Sequence, residues 1–273
     1  MNYILDRNYI IEIDRFLSKK THNAELIKRA KNIDAAGNFV AGLASILEGS
    51  SFSTEGGAIG NDILRESSLI REFFKNARTD STLFRDHVLQ TSLALQDHKN
   101  NEAKIELESF SKIKSFLGCE NSKENSWEKF IQLMKIKEKS DYIWGAGFLA
   151  ATASIFGHQG AREILKLNKT PSHQLAYNSY SDLKLIFLIP KIEHEARNIK
   201  NGNQNYKLIL KTNDAGLIKF RSSILIAKTK SKETPYGNEI SYWIDLKKFV
   251  NDLPFASEKR KAEIIEKLAS PIN

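Results

Sequence analysis

The 273-residue chain holds a single cysteine, Cys119. Without a second thiol there is no internal disulfide, which suits a reducing compartment, and with no patterned histidine nearby a thiol nucleophile is not expected. Proline is also scarce. All five prolines lie at or beyond Pro171, so everything before that point lacks the strongest helix breaker and should be rich in helix. There is no G-x-x-x-x-G-K-[ST] phosphate loop and no G-x-G-x-x-G fingerprint after a strand; Gly56, Gly57 and Gly60 are followed by no Lys-Ser or Lys-Thr, which leaves ATP hydrolysis unsupported. None of the six histidines, His22, His87, His98, His158, His173 and His194, has a second His or Cys at zinc-ligand spacing. The longest uncharged run, Tyr142 to Gly157, is shorter than the roughly 20 apolar residues of a bilayer span and reads as a buried helix. The opening MNYILDRNYIIEIDRF carries acids within its apolar run and no small-residue cleavage site, so a signal peptide is not expected and cytoplasm is the default location.

What is present is an ordinary globular composition, 41% hydrophobic and 27% charged, in a chain long enough to bury a full core as one domain over 1–273. Lys plus Arg number 41 against 33 Asp plus Glu, a formal charge of +8. A basic surface favours polyanionic partners such as nucleic acid, because neutralised phosphates release counterions.

Tyr3 to Leu5 reads as a short buried strand ending at Asp6, followed by a helix from Asn8 to Leu17. His22-Asn23 can cap a helix to about Ala36, with Gly37 placed for a left-handed C-terminal turn. Phe39 to Gly49 reads as an apolar helix carrying Glu48 in its last turn, and the Ser/Gly-rich residues 50–60 as a loop. A helical insertion is expected over about 62–140, with an interruption near Gly118 to Ser126. Asp141 can start a small-residue helix stopped by Gly157. A shorter helix runs from Gln159 to Leu167, and a further one begins at Ser172, carries Asn178 and Asp182 and ends at Pro190. From about 205 to 273 the character changes. Tyr206 to Thr212 alternates as a strand, Asn213 to Gly216 reads as a turn, Ser223 to Lys228 and Glu239 to Ile244 read as strands, and a basic helix follows Pro254.

Four acids stand where an apolar run ends or continues: Asp6 after Leu5, Glu48 after Leu47, Asp182 beside Leu183, and Asp214 after the strand ending at Thr212. Carboxylates in such settings are costly to bury unless they are paired with cations or a metal, and oxygen-rich acid clusters suit Mg²⁺ or Mn²⁺. Ile4-Leu5-Asp6-Arg7-Asn8 resembles the opening of PIN-domain nucleases, and Lys211-Thr212-Asn213-Asp214 resembles their late strand and its Thr-Asn-Asp-like turn. The resemblance implies a three-layer α/β/α sandwich with a mainly parallel central sheet and a large helical insertion. It also implies a Mg²⁺ or Mn²⁺ site built from Asp6, Glu48, Asp182 and Asp214, with Asn8, Asn178, Thr212 and Asn213 nearby; Asp141 is the rival for the third acid. The expected activity is endoribonuclease, with DNA as the alternative substrate. A role as toxin or defence effector, a protein inhibitor as partner and a homodimer are further expectations, and a non-catalytic nucleic-acid-binding or regulatory protein on the same frame is the alternative. Arg7 departs from the small residue usual after the first Asp, and the stretch from Glu48 to Asp182 is longer than in a minimal member of the family. A haloacid-dehalogenase-like phosphatase is disfavoured because Asn8 stands where such enzymes need a second acid.

Each acid also has a plainer reading. Asp6 can cap the following helix, Glu48 can be a solvated helix end, Asp182 can sit at the surface or pair with Lys184, and Asp214 can serve a turn. Lys211, Lys228 and Lys230 are the candidate phosphate contacts; Lys228, Lys230 and Lys232 recur with period two and equally suit a charged strand that blocks aggregation.

Overall fold

The computed structural model describes residues 1–49, 56–98, 101, 103–118, 122–140, 145–169, 173–198, 205–234 and 237–269. In chain order the first elements are β1 (Asn2–Leu5), α1 (Arg7–Leu17), α2 (Ala24–Ile33), β2 (Phe39–Ala41), α3 (Leu43–Gly49), α4 (Gly56–Phe73), β3 (Arg78–Thr79), α5 (Ser81–Asp86) and α6 (Val88–His98). Then come α7 (Lys104–Leu117), α8 (Ser126–Glu138), α9 (Gly145–Ile155), α10 (Gln159–Leu165), α11 (His173–Asn198), β4 (Leu208–Lys211) and α12 (Ala215–Ser223). The last are β5 (Ile226–Thr234), β6 (Gly237–Ile244), α13 (Leu246–Asn251) and α14 (Glu258–Ala269). The expected α/β class holds. Packing groups the chain into two compact units: Met1–Lys104 with Glu195–Asn213, and Ile105–His194 with Asp214–Asn273.

The first unit is organised around β1. Tyr3 and Leu5 point to one face and Ile4 to the other, and all three are buried. A strand covered on both faces reads as continuous apolar sequence and sits inside a parallel sheet. Here the sheet has four strands in the order β3-β2-β1-β4, every pair parallel. Parallel neighbours need crossovers, which α1 and α2 supply between β1 and β2, and α3 and α4 between β2 and β3. Tyr3, Leu5 and Val40 meet Ile10 and Ile13 of α1, Leu26 and Ile27 of α2, and Ile70 of α4 in one core, each large side chain contributing about 1.5–3 kcal/mol.

Phe39 to Gly49 is not one helix. Its first residues form β2, because Val40 is paired on both sides, with Tyr3 and with Thr79, and a short apolar run does not by itself separate a buried strand from a buried helix. The break falls at Gly42, whose N–H donates to both oxygens of Asp80 at 3.0 and 2.9 Å, and where a Cβ would stand 2.1 Å from Ile70 Cδ1. The next helix, α4, starts at Gly56, inside the span expected to be loop; residues 50–55 lie outside the described residues. α2 ends at Ile33, short of Ala36, because Asp34 turns out to accept N–H bonds from Lys75, Asn76 and Ala77 at 3.1, 2.8 and 2.8 Å. Those bonds hold its carboxyl below the usual range and anchor the approach to β3, a strand too short to be read from sequence.

In the second unit, α9 is buried almost throughout, as its Gly/Ala composition predicts, and Gly157 adopts φ +82 immediately after it, with Phe255 packed where a Cβ would point. α11 continues through Pro190 to Asn198 instead of stopping there. A proline inside a helix costs about 3 kcal/mol, and burial of Leu185, Ile186 and Ile189 around it offsets that loss. Asn213 to Gly216 is less a turn than a helix start, with Asp214 as N-cap of α12. β5 and β6 form an antiparallel hairpin, and α13, capped by Asp245, follows it unforeseen. In the basic C-terminal helix α14, the Arg260 guanidinium stacks 3.8 Å over the Trp127 ring.

Helices α10 and α12 approach closely through two glycines. A Cβ on Gly160 would lie 2.7 Å from Lys219 Cβ, 2.8 Å from Phe220 N and 2.9 Å from Gly216 O, and one on Gly216 would meet Glu163 Cβ at 2.7 Å. Backbone atoms cannot yield as a side-chain tip does, so the helices would have to part. Gly160→Ala is expected to cost about 1–3 kcal/mol in denaturant unfolding, whereas Gly145→Ala, with nothing within 4 Å, should be neutral or slightly stabilising. Equal melting of the two variants would refute close packing at this crossing.

Candidate functional site

In an open parallel sheet, a crevice forms outside the carboxyl ends of the strands at the point where strand order reverses. In the first unit that point lies between β1 and β4, because β2 follows on one side of β1 and β4 lies on the other. Asp6 occupies it. Its backbone N–H extends the ladder to Lys211 O at 3.1 Å, and its side chain turns away from the strand as N-cap of α1, accepting from Tyr9 N at 3.2 Å and from the Asn8 amide at 3.5 Å. Thr212, buried just beyond β4, donates its hydroxyl to the same carboxylate. The Asp6 residue is only 3% exposed, and burial pushes its carboxyl above the ordinary aspartate range against the opposing pull of Thr212, Tyr9 and Asn8. The cap reading of Asp6 is therefore correct, and it coexists with a buried, ionisable group at the sheet edge.

The other expected residues are distributed as follows. Asn8 is exposed at the start of α1, and Asn213 is exposed after Thr212. Lys211 places its ammonium 5.0 Å from the Tyr3 ring centroid. Glu48 is in the last turn of α3, a helix packed against β1 and α1, and its Oε1 is shielded from solvent. The first unit thus brings Asp6, Asn8 and Thr212 together, with the helix of Glu48 packed on the same strand. In the second unit Asn178 and Asp182 stand one turn apart on α11. The Asp182 carboxylate accepts from Lys166 at 3.0 Å; Lys184, its expected partner, donates at 2.8 Å to both Glu106 and the Tyr180 hydroxyl. Asp214 accepts from Leu217 N at 2.8 Å. Asp141, the rival third acid, lies outside the described residues, as does Cys119. Among the described residues, no three His, Cys, Asp or Glu side chains are grouped as a ligand set for an ion.

Two buried acids of the first unit were not singled out from sequence. Glu66, 1% exposed, accepts from Ser45 at 2.6 Å; burial pushes its carboxyl up, while Ser45, Arg7 and Arg65 pull it down. Its signal was available: Ile63, Glu66 and Ile70 share the apolar stripe of α4, and an acid in that stripe needs partners. Arg7, the departure noted in the opening motif, is one of them. Asp80 follows β3 as the N-cap of α5 and accepts from the N–H groups of Gly42 and Leu43, with burial outweighing those bonds and pushing its carboxyl up to about 6. Only the fold reveals that role, since its donors lie far away in sequence.

The chain matches no protein-family model, no curated protein and no solved structure. The resemblance to PIN-domain nucleases rests on its residues alone.

The raised Asp80 carboxyl has a signed consequence. A proton bound more tightly in the folded state than in the unfolded chain stabilises fully below about pH 4, and that contribution is lost as pH rises through about 6. The unfolding free energy of the wild type minus that of Asp80→Asn should therefore fall between pH 4 and 7, by roughly 3 kcal/mol at most. A difference that grows with pH in that window would contradict the assignment.

Proposed function

We propose that the chain is a divalent-metal-dependent endoribonuclease on a PIN-like three-layer α/β/α frame, with Asp6 as the central acid. The observation that carries this reading is a buried carboxylate at the carboxyl end of the central parallel strand, at the reversal of strand order, with its pKa raised by burial. Such a group is ionised at lowest cost when a cation accompanies it. Asp6 fits as a ligand of Mg²⁺ or Mn²⁺, and Thr212 and Asn8 fit as the groups that orient it. Glu48, in the same unit as Asp6, is its candidate partner acid; Asp182 and Asp214 enter through the sequence resemblance alone and have local partners of their own. When bound, the ion supplies an activated water and neutralises charge on the leaving oxygen. The protein's own part is to hold the Asp6 carboxylate in one orientation and keep bulk water from it. A cytoplasmic toxin or defence effector restrained by an inhibitor protein is the corresponding biological role.

A second reading, a nucleic-acid-binding protein without catalysis, is favoured by the exposed Lys228 and Lys230 of β5 and by the lack of a three-acid group among the described residues. Metal affinity separates the two. Mn²⁺ should bind the wild type and be lost in Asp6→Asn. Labelled RNA should be cleaved in Mn²⁺ and spared in chelator, with DNA cut more slowly, and Asp6→Asn should lower the rate about 100-fold or more. Asp214→Asn is expected to act in the same direction. Cleavage that persists in chelator and survives Asp6→Asn would overturn the nuclease reading.

A further inference from the structure

The β5–β6 hairpin has two unlike faces. In the hairpin register Lys228 lies opposite Trp243, Thr229 opposite Tyr242, Lys230 opposite Ser241 and Lys232 opposite Glu239, so the lysines share a face with Trp243, Ser241 and Glu239, and Thr229 shares the other with Tyr242. The second face is packed within its own unit: the Thr229 hydroxyl meets His194 Nδ1 at 3.0 Å, and the Tyr242 ring stands 5.9 Å from Phe187, both on α11. The first face is open. Lys228, Lys230, Lys232 and Ser241 are exposed, Trp243 is 47% exposed, and the Lys228 ammonium lies 5.6 Å from the Trp243 ring. The half-exposed indole gives this face a broad flat apolar surface beside its cations.

We infer that this face is a docking platform for single-stranded nucleic acid, one base stacking on Trp243 while Lys228 and Lys230 follow the phosphates. Alternate residues of a strand stand about 7 Å apart, a spacing comparable with successive phosphates of an extended single strand. Lys228 and Lys230, opposite Trp243 and Ser241 and clear of the Lys232–Glu239 pair, match a polyanion, and an indole accepts any base because every base has a π face. A lipid surface fits less well, since Trp243 is the one large apolar side chain among the lysines, Ser241 and Glu239 that share this face. The inference deepens the nuclease reading by naming its substrate as single-stranded, yet its binding step needs no metal.

The test is fluorescence anisotropy of a labelled oligouridine with the full-length protein in chelator, alongside a duplex of equal length and anionic phosphatidylserine vesicles. The oligouridine is expected to bind more tightly than the duplex. Trp243→Ala should weaken it about tenfold and Trp243→Phe much less, and Lys228→Ala with Lys230→Ala should flatten the salt dependence by roughly 1.4 in logarithmic slope. Circular dichroism melting of each variant, expected to be unchanged for these exposed side chains, shows that a loss of binding is not a loss of fold. Unchanged affinity in Trp243→Ala overturns the platform, as does vesicle binding that depends on Trp243 in the absence of oligouridine binding. The two readings fail separately. Metal-dependent cleavage indifferent to Trp243 removes the platform and leaves the nuclease, whereas Trp243-dependent binding without any cleavage removes the nuclease and leaves the platform.

Discussion

The arrangement of the first unit depends on the parallel pairing of β1 with β2 on one side and β4 on the other. That pairing joins residues roughly two hundred positions apart in the chain, and the burial of Tyr3, Ile4 and Leu5 sustains it. It also fixes where Asp6 emerges, because the ladder continues one bond further, from Asp6 N to Lys211 O, before the chain turns into α1. A one-residue slip would send Asp6 to the opposite face and separate it from Thr212. The apolar strand and the acid beyond it are therefore one constraint seen from its two ends.

Much of this was legible from local chemistry. The uninterrupted apolar run before Asp6, the cap at Asn23, the left-handed glycine at 157 and the strand after Tyr206 each have a local physical cause, and each is found where that cause places it; Gly37 is left-handed too, but four residues beyond the end of α2 rather than at its C-terminus. What was not legible depended on partners distant in sequence. Phe39 to Ala41 became a strand because neighbours stood ready on both sides, and β3 exists through bonds from Asp34 rather than any pattern of its own. Pro190 stayed helical because its surroundings are buried. At the candidate site the position of Asp6 followed from its strand, and Asp214 was rightly placed after one but serves a helix rather than a turn. Glu66 and Asp80 escaped notice because their meaning lies in Ser45, Arg7 and Gly42.

The second unit shows how much its helices owe to small residues and paired charges. Gly160 and Gly216 let α10 and α12 touch at backbone distance, while Lys166 with Asp182, and Lys184 with Glu106 and Tyr180, neutralise charge along α11. Pairs of this kind, partly shielded from solvent, are each worth on the order of 1 kcal/mol, so they orient α11 more than they hold it in place. The anchoring comes from its buried apolar face.

At the far edge of the four-stranded sheet, β3 offers only Arg78 and Thr79 for pairing. Its approach is held by a side chain, Asp34, so it does not need a long ladder of its own. An incoming extended chain finds almost no template there, which ends the sheet's growth on that side.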